Sequence, residues 1–253
     1  MVWGKGGMHR HRFYIYPDSI IDNNITITKP EYHHIVDVLR YKTGQDIILF
    51  DGKGSEYQGR IKTIDKNRNK VEVSIGNAYK ETNGQPLILA AALLRAVNMD
   101  LLIKKATELG VTHIYPLITD NVIVKIPANA QAAKINKWRR ISTEAGKQSQ
   151  RNWLPYIDKI WDFQEALCSL ETVETKIICT GGERAKPLRD LPDTNARPVA
   201  VMIGPEGGFS PGELDLAGKN GFMPVRLGNA ILRAETAAVT ALSIVNYKFG
   251  YWG

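Results

Sequence analysis

Apolar positions along the chain change their rhythm once, near residue 80. Before that point they come in short runs, at residues 12–16, 25–28, 46–50, 57–64 and 70–75, separated by turn chemistry such as Asp51-Gly52-Lys53-Gly54. Runs of this length between glycine- and aspartate-rich turns predict β-strands. One helical segment interrupts them, over about residues 30–41, with Pro30 in its first turn and Ile35, Val38 and Leu39 on one face. Short strands around a single helix predict a small β-barrel over residues 8–76, a shape common among RNA-binding modules. The polar, Gly/Pro-containing segment 77–86 (NAYKETNGQP) reads as a linker.

From residue 87 the pattern alternates between buried strands and amphipathic helices. Residues 87–94 (LILAAALL) form a continuous apolar run, as a strand covered on both faces requires. Met99, Leu102, Ile103, Ala106 and Leu109 then recur at helical spacing, and Gly110 stands where a helix C′ glycine belongs. A strand over 111–117, a long basic helix over 129–150 and strands over 175–180 and 199–203 follow. Ser210-Pro211-Gly212-Glu213 is a capping box with proline at the first helical position, so a helix runs from there to Gly221. A short strand over 225–227 and a final helix over 234–247 complete the series. This alternation predicts an α/β domain with a largely parallel sheet over residues 87–253.

Composition excludes several classes. With 43% apolar and 23% charged residues the chain is an ordinary globular protein, and no apolar run is long enough to span a membrane. The start, MVWGKGGMHRHRFYIY, lacks the apolar core of a secretory signal, and residues 1–7 are set aside as an extension before Met8. Cys168 and Cys179 make neither a disulfide framework nor a CxxC metal knuckle, which suits a reducing cytoplasm. Charge is more informative. Residues 1–155 hold 23 of the 33 lysines and arginines but only 14 of the 26 acidic residues. The whole surplus of +7 therefore lies in the first part of the chain, and it reads either as a site for a polyanion such as nucleic acid or as a solubilising surface.

Familiar catalytic signatures are missing. There is no G-x-G-x-x-G after a strand, no Walker A sequence and no G-x-S-x-G elbow. The five histidines, His9, His11, His33, His34 and His113, show no metal-ligand spacing, so no metal site is expected. Two loops stand out instead. Ile203-Gly204-Pro205-Glu206-Gly207-Gly208-Phe209 follows a buried strand and precedes the capped helix. Its glycines either let a ligand approach bare backbone at a strand end or simply make a tight turn. The second loop, Leu227-Gly228-Asn229-Ala230-Ile231-Leu232-Arg233-Ala234-Glu235-Thr236-Ala237, also joins a strand to a helix. Ile231 and Leu232 beside free backbone amides suit a flat heterocycle such as adenine, while the plainer reading is a helix start with Glu235 complementing the dipole.

Taken together, GPEGGFS, LGNAILRAETAA, MDLLIKKATELGV with THIYPL, and EAGKQSQRNWLP resemble the 16S ribosomal RNA uracil N3-methyltransferase family, of the SPOUT class. RFYI and HHIVDVLR near the N-terminus extend the resemblance over nearly the whole chain from Arg12. The chain departs from the family at Leu94-Arg95-Ala96-Val97, where relatives carry a Lys-Gly pair.

The resemblance implies a PUA-like RNA-binding β-barrel followed by an α/β domain whose C-terminal part is a trefoil knot, a path that periodicity alone would never suggest. It also implies that S-adenosylmethionine lies among three loops, held by Thr180 and Gly181, by Ile203, Gly204, Glu206 and Gly207, and by Leu227, Gly228, Ile231, Leu232, Thr236 and Ala237. Arg233 is the candidate for stabilising charge on the uracil, and Glu235 for orienting Arg233 or accepting the proton. Arg12, Arg40, Arg139, Arg140, Lys147, Gln148 and Arg151 are the candidate contacts to 16S ribosomal RNA or the small ribosomal subunit, unless the helix residues form only a solvated face. The implied assembly is a homodimer in the cytoplasm, built on the final helix, where Val239, Leu242, Ser243 and Asn246 recur near Tyr247, Phe249, Tyr251 and Trp252. A SPOUT enzyme acting on another RNA and a non-enzymatic ribosome assembly factor are the alternatives.

Overall fold

A computed structural model describes residues 11–82, 86–182, 185–191 and 198–250. The chain divides into two compact units. One runs through Asn83 and takes in Gly146–Trp153, and the other comprises Gly84–Ala145 with Leu154–Gly253. His9, Tyr251, Trp252 and Glu183 lie outside the described residues, as do residues 1–7.

The first unit is a six-stranded sheet. Its strands are β1 (Arg12–Tyr14), β2 (Ile20–Ile21), β3 (Asn24–Ile27), β4 (Asp46–Phe50), β5 (Ser55–Asp65) and β6 (Lys70–Lys80), in the order β1-β4-β5-β6-β3-β2. Alternate residues turn inward, so Ile25 and Ile27, Ile47 and Leu49, and Val71 and Val73 close on Phe13, Tyr32 and Ile35. β1 and β2, with three and two residues, are the edges, and among the described residues the ladder is not closed into a ring between them. Register shifts between Tyr57 and Gly59 and between Ile61 and Thr63 mark bulges, which bend the long β5–β6 hairpin. At Gly59 a Cβ would come within 2.5 Å of Val73, so the bend needs glycine there. Residues 77–80, expected as linker, are the end of β6: they pair back onto the start of β5.

The segment expected as one helix over 30–41 is shorter and irregular. α1 (Glu31–His33) is a single turn, and a wider π-turn, His34–Val38, follows it. The wider turn rotates Val38 off the buried face, where it is 56% exposed, and Arg40 then takes a left-handed φ of 55°. The segment Gly146–Trp153 is bound into this unit by polar contacts that no periodicity reveals. Arg12 Nη2 donates to Glu56 Oε2 at 3.0 Å and to Asn152 Oδ1, and its Nη1 donates to the Arg151 carbonyl at 3.3 Å. Lys147 and Glu31 form a buried ion pair at 2.5 Å. The Trp153 ring lies over Gly54, whose φ of 95° and lack of a Cβ allow that approach.

The second unit is a seven-stranded, all-parallel sheet. In chain order its elements are β7 (Leu87–Ala92), α2 (Ala96–Glu108), β8 (His113–Ile118), α3 (Ala128–Ser149), β9 (Trp161–Asp162), α4 (Phe163–Ser169), β10 (Thr175–Cys179), β11 (Lys186–Pro187), β12 (Val199–Ile203), α5 (Pro211–Lys219), β13 (Met223–Arg226) and α6 (Ala234–Lys248). The strand order is β11-β13-β10-β12-β7-β8-β9. All six residues of β7 and all five of β12 are buried, because helices cover both faces. Leu87, Leu89, Val199, Val201 and Ile203 meet Met99, Leu102 and Ile103 of α2, Trp138 of α3, and Ala238, Leu242 and Val245 of α6. Ile88, Ala90, Ala200 and Met202 meet Phe163 and Leu167 of α4 and Ala217 of α5.

Two local expectations change. The sequence pattern did not mark α4 and its strand, although Asp162-Phe163-Gln164-Glu165 carries the signal: Asp162 Oδ1 accepts from the Gln164 amide at 2.9 Å as the N-cap. On α6, Leu242, Asn246 and Phe249 are buried within the unit, and Asn246 Nδ2 donates to the Leu109 carbonyl at 2.8 Å. Those three residues are therefore core. The large apolar side chains exposed on α2 and α6 are Val97 and Leu101 on α2 and Tyr247 on α6.

Candidate active site

Parallel pairing sets the geometry of the site. Cys179 at the end of β10 pairs with Ile203 of β12 on one side and with Val225 of β13 on the other. The loops that follow these three strands consequently leave the sheet at one level, the edge where α/β sheets bind ligands. The Thr180 amide donates to the Val225 carbonyl at 2.9 Å, which extends the β10–β13 ladder into the first loop.

The middle loop is tightly held. Ser210 Oγ accepts from the Glu213 amide at 3.2 Å and the Ser210 amide donates to Glu213 Oε2 at 2.8 Å, completing the expected capping box on α5. The same pair reaches across to the loop after β8. The Asp120 amide donates to Glu213 Oε1 at 2.9 Å, and Ser210 Oγ donates to Asp120 Oδ2 at 2.6 Å. Asn121 Nδ2 donates to the carbonyls of Gly207 and Gly208 at 3.3 and 3.0 Å. Sequence reasoning missed Asp120 and Asn121, because nothing local links them to residues some 90 positions away.

The glycines serve different needs. A Cβ at Gly204 would stand 3.0 Å from the Phe209 ring, and one at Gly207 would stand 3.2 Å from Asn121 Cβ. At both positions a side chain would press on the loop's own packing. Gly181 and Gly228 behave otherwise: a Cβ at either meets nothing within 4 Å. They present open backbone at the strand ends. Glu206 is exposed in the middle loop, and Thr180 is half-buried in the first.

The third loop supplies apolar surface. Ile231 is fully exposed and Leu232 half-buried, while Leu227 and Gly228 line a cavity of about 350 Å³ with Leu188 and Ile244. Arg233 is the N-cap residue of α6, with an exposed side chain that makes no cap bond and, among the described residues, no ion pair. Glu235 lies in the first helical turn, and its Oε2 is buried with no hydrogen-bond partner. Thr236 is exposed and Ala237 half-buried behind it. Arg233 and Glu235 are not paired with each other, so the arginine is not held through the carboxylate.

The expected RNA contacts separate into two groups. Arg40, Arg140 and Gln148 are exposed. Arg12, Lys147 and Arg151 are turned inward within the first unit: burial pulls the Arg12 and Arg151 guanidinium pKa values down, against the opposing charges of Glu56 and Glu81. Arg139 is divided, since its Nε donates to the Ile157 carbonyl at 2.7 Å while the residue as a whole stays exposed. Among the described residues no group of three His, Cys, Asp or Glu could hold a metal, and no helix is long and apolar enough to cross a membrane.

The residues fit S-adenosylmethionine on the grounds the molecule itself offers. Open backbone at Gly181 and Gly228, the bare side chain of Ile231 and the cavity beside Leu227 suit an adenine and ribose. The unpartnered Glu235 oxygen supplies an acceptor of the kind a bound ligand satisfies.

Comparison with known proteins agrees. Residues 81–246 match the RNA methyltransferase domain, and residues 27–74 match the RNA methyltransferase PUA domain. The chain is 31% identical to the ribosomal RNA small subunit methyltransferase E of Synechocystis, over 93% of this chain and 77% of the relative. To the enzyme of that name from Rickettsia conorii it is 30% identical, over 94% and 96%. A Legionella pneumophila methyltransferase solved with bound cofactor SAM superposes with a TM-score of 0.86 at 31% identity, covering 95% of this chain and 98% of that one. The Neisseria gonorrhoeae ribosomal RNA small subunit methyltransferase E, bound to S-adenosyl methionine, gives 0.84 at 30% identity, covering 94% and 98%. With a PUA domain ahead of a parallel, SPOUT-type α/β unit, this chain belongs to the ribosomal RNA small subunit methyltransferase E family.

Proposed function

We propose that the protein transfers a methyl group from S-adenosylmethionine to N3 of a uridine in 16S ribosomal RNA. The observation that carries this reading is that three loops leave the sheet at one level, the first with open backbone at Gly181 and the third with open backbone at Gly228 and with Arg233 and the unpartnered Glu235 carboxylate at its end.

The donor brings an activated methyl group, so the chain's own task is placement and charge. Gly181 and Gly228 admit the donor against bare backbone, and Ile231 and Leu232 cover its apolar face. N3 of uracil loses a proton as it is methylated, and negative charge spreads onto the flanking carbonyl oxygens. Arg233, planar and without an ion-pair partner among the described residues, stabilises that charge, and Glu235 takes the proton. The knotted path of the class, action as a homodimer and a cytoplasmic location belong to the same reading. For the dimer, the supporting surface is Val97, Leu101 and Tyr247.

The test is to measure donor affinity and single-turnover rate on the same variants. Arg233→Ala is expected to lower the rate by about 10²–10³, the range for removing one oxyanion donor, with donor affinity little changed. Arg233→Lys restores little, because a point charge lacks the planar fork. A full-rate Arg233→Ala enzyme overturns the assignment.

A further inference from the structure

The loop after β12 and the loop after β8 follow strands that do not pair with each other. β12 and β8 lie on opposite sides of β7, with Ile203 beside Ala91 and Leu117 beside Ala92. Any bond between the two loops therefore passes across the end of β7. Two ties do so among the described residues. Asp120 joins the capping box of α5, where the middle loop ends. Asn121 reaches the tip of that loop, where its Nδ2 donates to the carbonyls of Gly207 and Gly208.

The second tie is directional. A side-chain amide that faces two carbonyl oxygens can satisfy them only through its NH2 group, so the orientation of Asn121 is fixed. The loop is shaped to receive it. The Gly208 amide donates to the Pro205 carbonyl at 2.9 Å and closes a turn over residues 205–208. Gly208 takes a φ of 71°, open to glycine, and the carbonyls before and after that angle both face Asn121. A Cβ at Gly207 would stand 3.2 Å from Asn121 Cβ, so the close approach uses bare backbone. The base of the loop is held separately, by the pairing of Ile203 in the sheet and by the Phe209 ring against Gly204. Asn121 acts on the tip, which carries Glu206 and Gly207.

We propose that Asn121 is a positioning residue for the methyl donor: by holding the Gly207 and Gly208 carbonyls it keeps the tip of the middle loop in its donor-binding shape. The inference rests on the S-adenosylmethionine reading above and extends the donor site to a fourth loop, the one after β8. A loop ordered in advance avoids the entropic cost of ordering when the ligand binds. Loss of the tie therefore shows as lost donor affinity more than as lost stability. Asn121 is itself exposed and belongs to neither core cluster of its unit.

Two variants of the full chain test this. Asn121→Ala removes both bonds without adding charge. Asn121→Asp keeps the side-chain shape but sets an acceptor-only carboxylate against two carbonyl oxygens. Calorimetric titration with S-adenosylmethionine is expected to show affinity lowered about tenfold in Asn121→Ala and further in Asn121→Asp. The melting temperatures of both variants without donor are expected to match the wild type, and saturating donor to restore most of the single-turnover rate. Unchanged donor affinity in Asn121→Ala overturns the assignment. So does a fall in melting temperature that accompanies the affinity loss in both variants, because the contact would then serve packing. A rate loss that saturating donor does not restore overturns it too. A wild-type chain that fails to bind S-adenosylmethionine would instead overturn the methyltransferase reading on which the assignment rests.

Discussion

At the scale of single residues, the site's glycines separate ligand clearance from self-packing. Gly228→Ala meets nothing in the free protein, so its melting temperature is expected to stay at the wild-type value. Its affinity for S-adenosylmethionine, measured by calorimetry, is expected to drop about tenfold or more, since the methyl group intrudes on backbone the donor approaches. Gly204→Ala should do the reverse first: a Cβ 3.0 Å from Phe209 overpacks the loop and costs about 1–3 kcal/mol of stability. Titration offers a second residue-level check. Burial lowers the pKa of His113, with Asp158 opposing. The unfolded imidazole therefore takes its proton first as pH falls, and stability declines from about pH 6.5 downward to the lower folded pKa. Melting curves between about pH 7.5 and 5 are expected to show that decline in the wild type and a flatter profile in His113→Asn. Burial also pushes the Cys179 thiol up to about 12, so at mildly alkaline pH it stays protonated and exposed Cys168 is alkylated first.

At the scale of elements, the start of α5 does more than begin a helix. Its capping box is shared with the loop after β8 through Asp120, and Asn121 fixes the carbonyls of Gly207 and Gly208. Ser210→Ala removes the cap and the bond to Asp120 together. A cost of about 1–2 kcal/mol is expected, at the upper end for an N-cap, along with weaker donor binding because the middle loop loosens. Equal donor affinity in this variant would mean that the loop is held by Asn121 and Phe209 alone. The signature Ser-Pro-x-Glu was legible because capping is a local interaction spanning three residues. The link to Asp120 was not, because its partners Ser210 and Glu213 lie 90 and 93 residues away.

At the scale of the whole molecule, charge and apolar surface make separate predictions. RNA affinity should fall steeply with salt, and Arg140→Ala should reduce the magnitude of the slope by about 0.7–0.9 at an unchanged melting temperature. Arg139→Ala should lower the melting temperature as well, because Arg139 Nε also holds the Ile157 carbonyl. Light scattering at micromolar concentration is expected to give twice the chain mass, and Tyr247→Glu with Val97→Glu to return it to one. A monomeric wild type would remove the dimer from the proposal.

What the sequence determined by itself follows from short-range physics. Short apolar runs between turns marked residues 25–28, 46–50 and 70–75 as strands. Unbroken apolar runs marked β7 and β12 as strands covered twice, and the capping box and Gly110 marked helix ends. Family resemblance added the three loops and their donor, because residues that touch a common ligand recur as motifs even when folding alone would not reveal them. Tertiary structure decided the remainder. It turned Arg12, Lys147 and Arg151 from candidate RNA contacts into inward-facing side chains, with Lys147 ion-paired to Glu31 and Arg12 bonded to the carbonyl of Arg151. It assigned Gly146–Trp153 to the first unit, buried Leu242, Asn246 and Phe249, and set glycines with a close neighbour, Gly204 and Gly207, apart from Gly181 and Gly228, which meet nothing. The physical reason is the same in each case: whether a charge is free or a Cβ is tolerated depends on atoms far away along the chain, which only packing brings within a few ångströms.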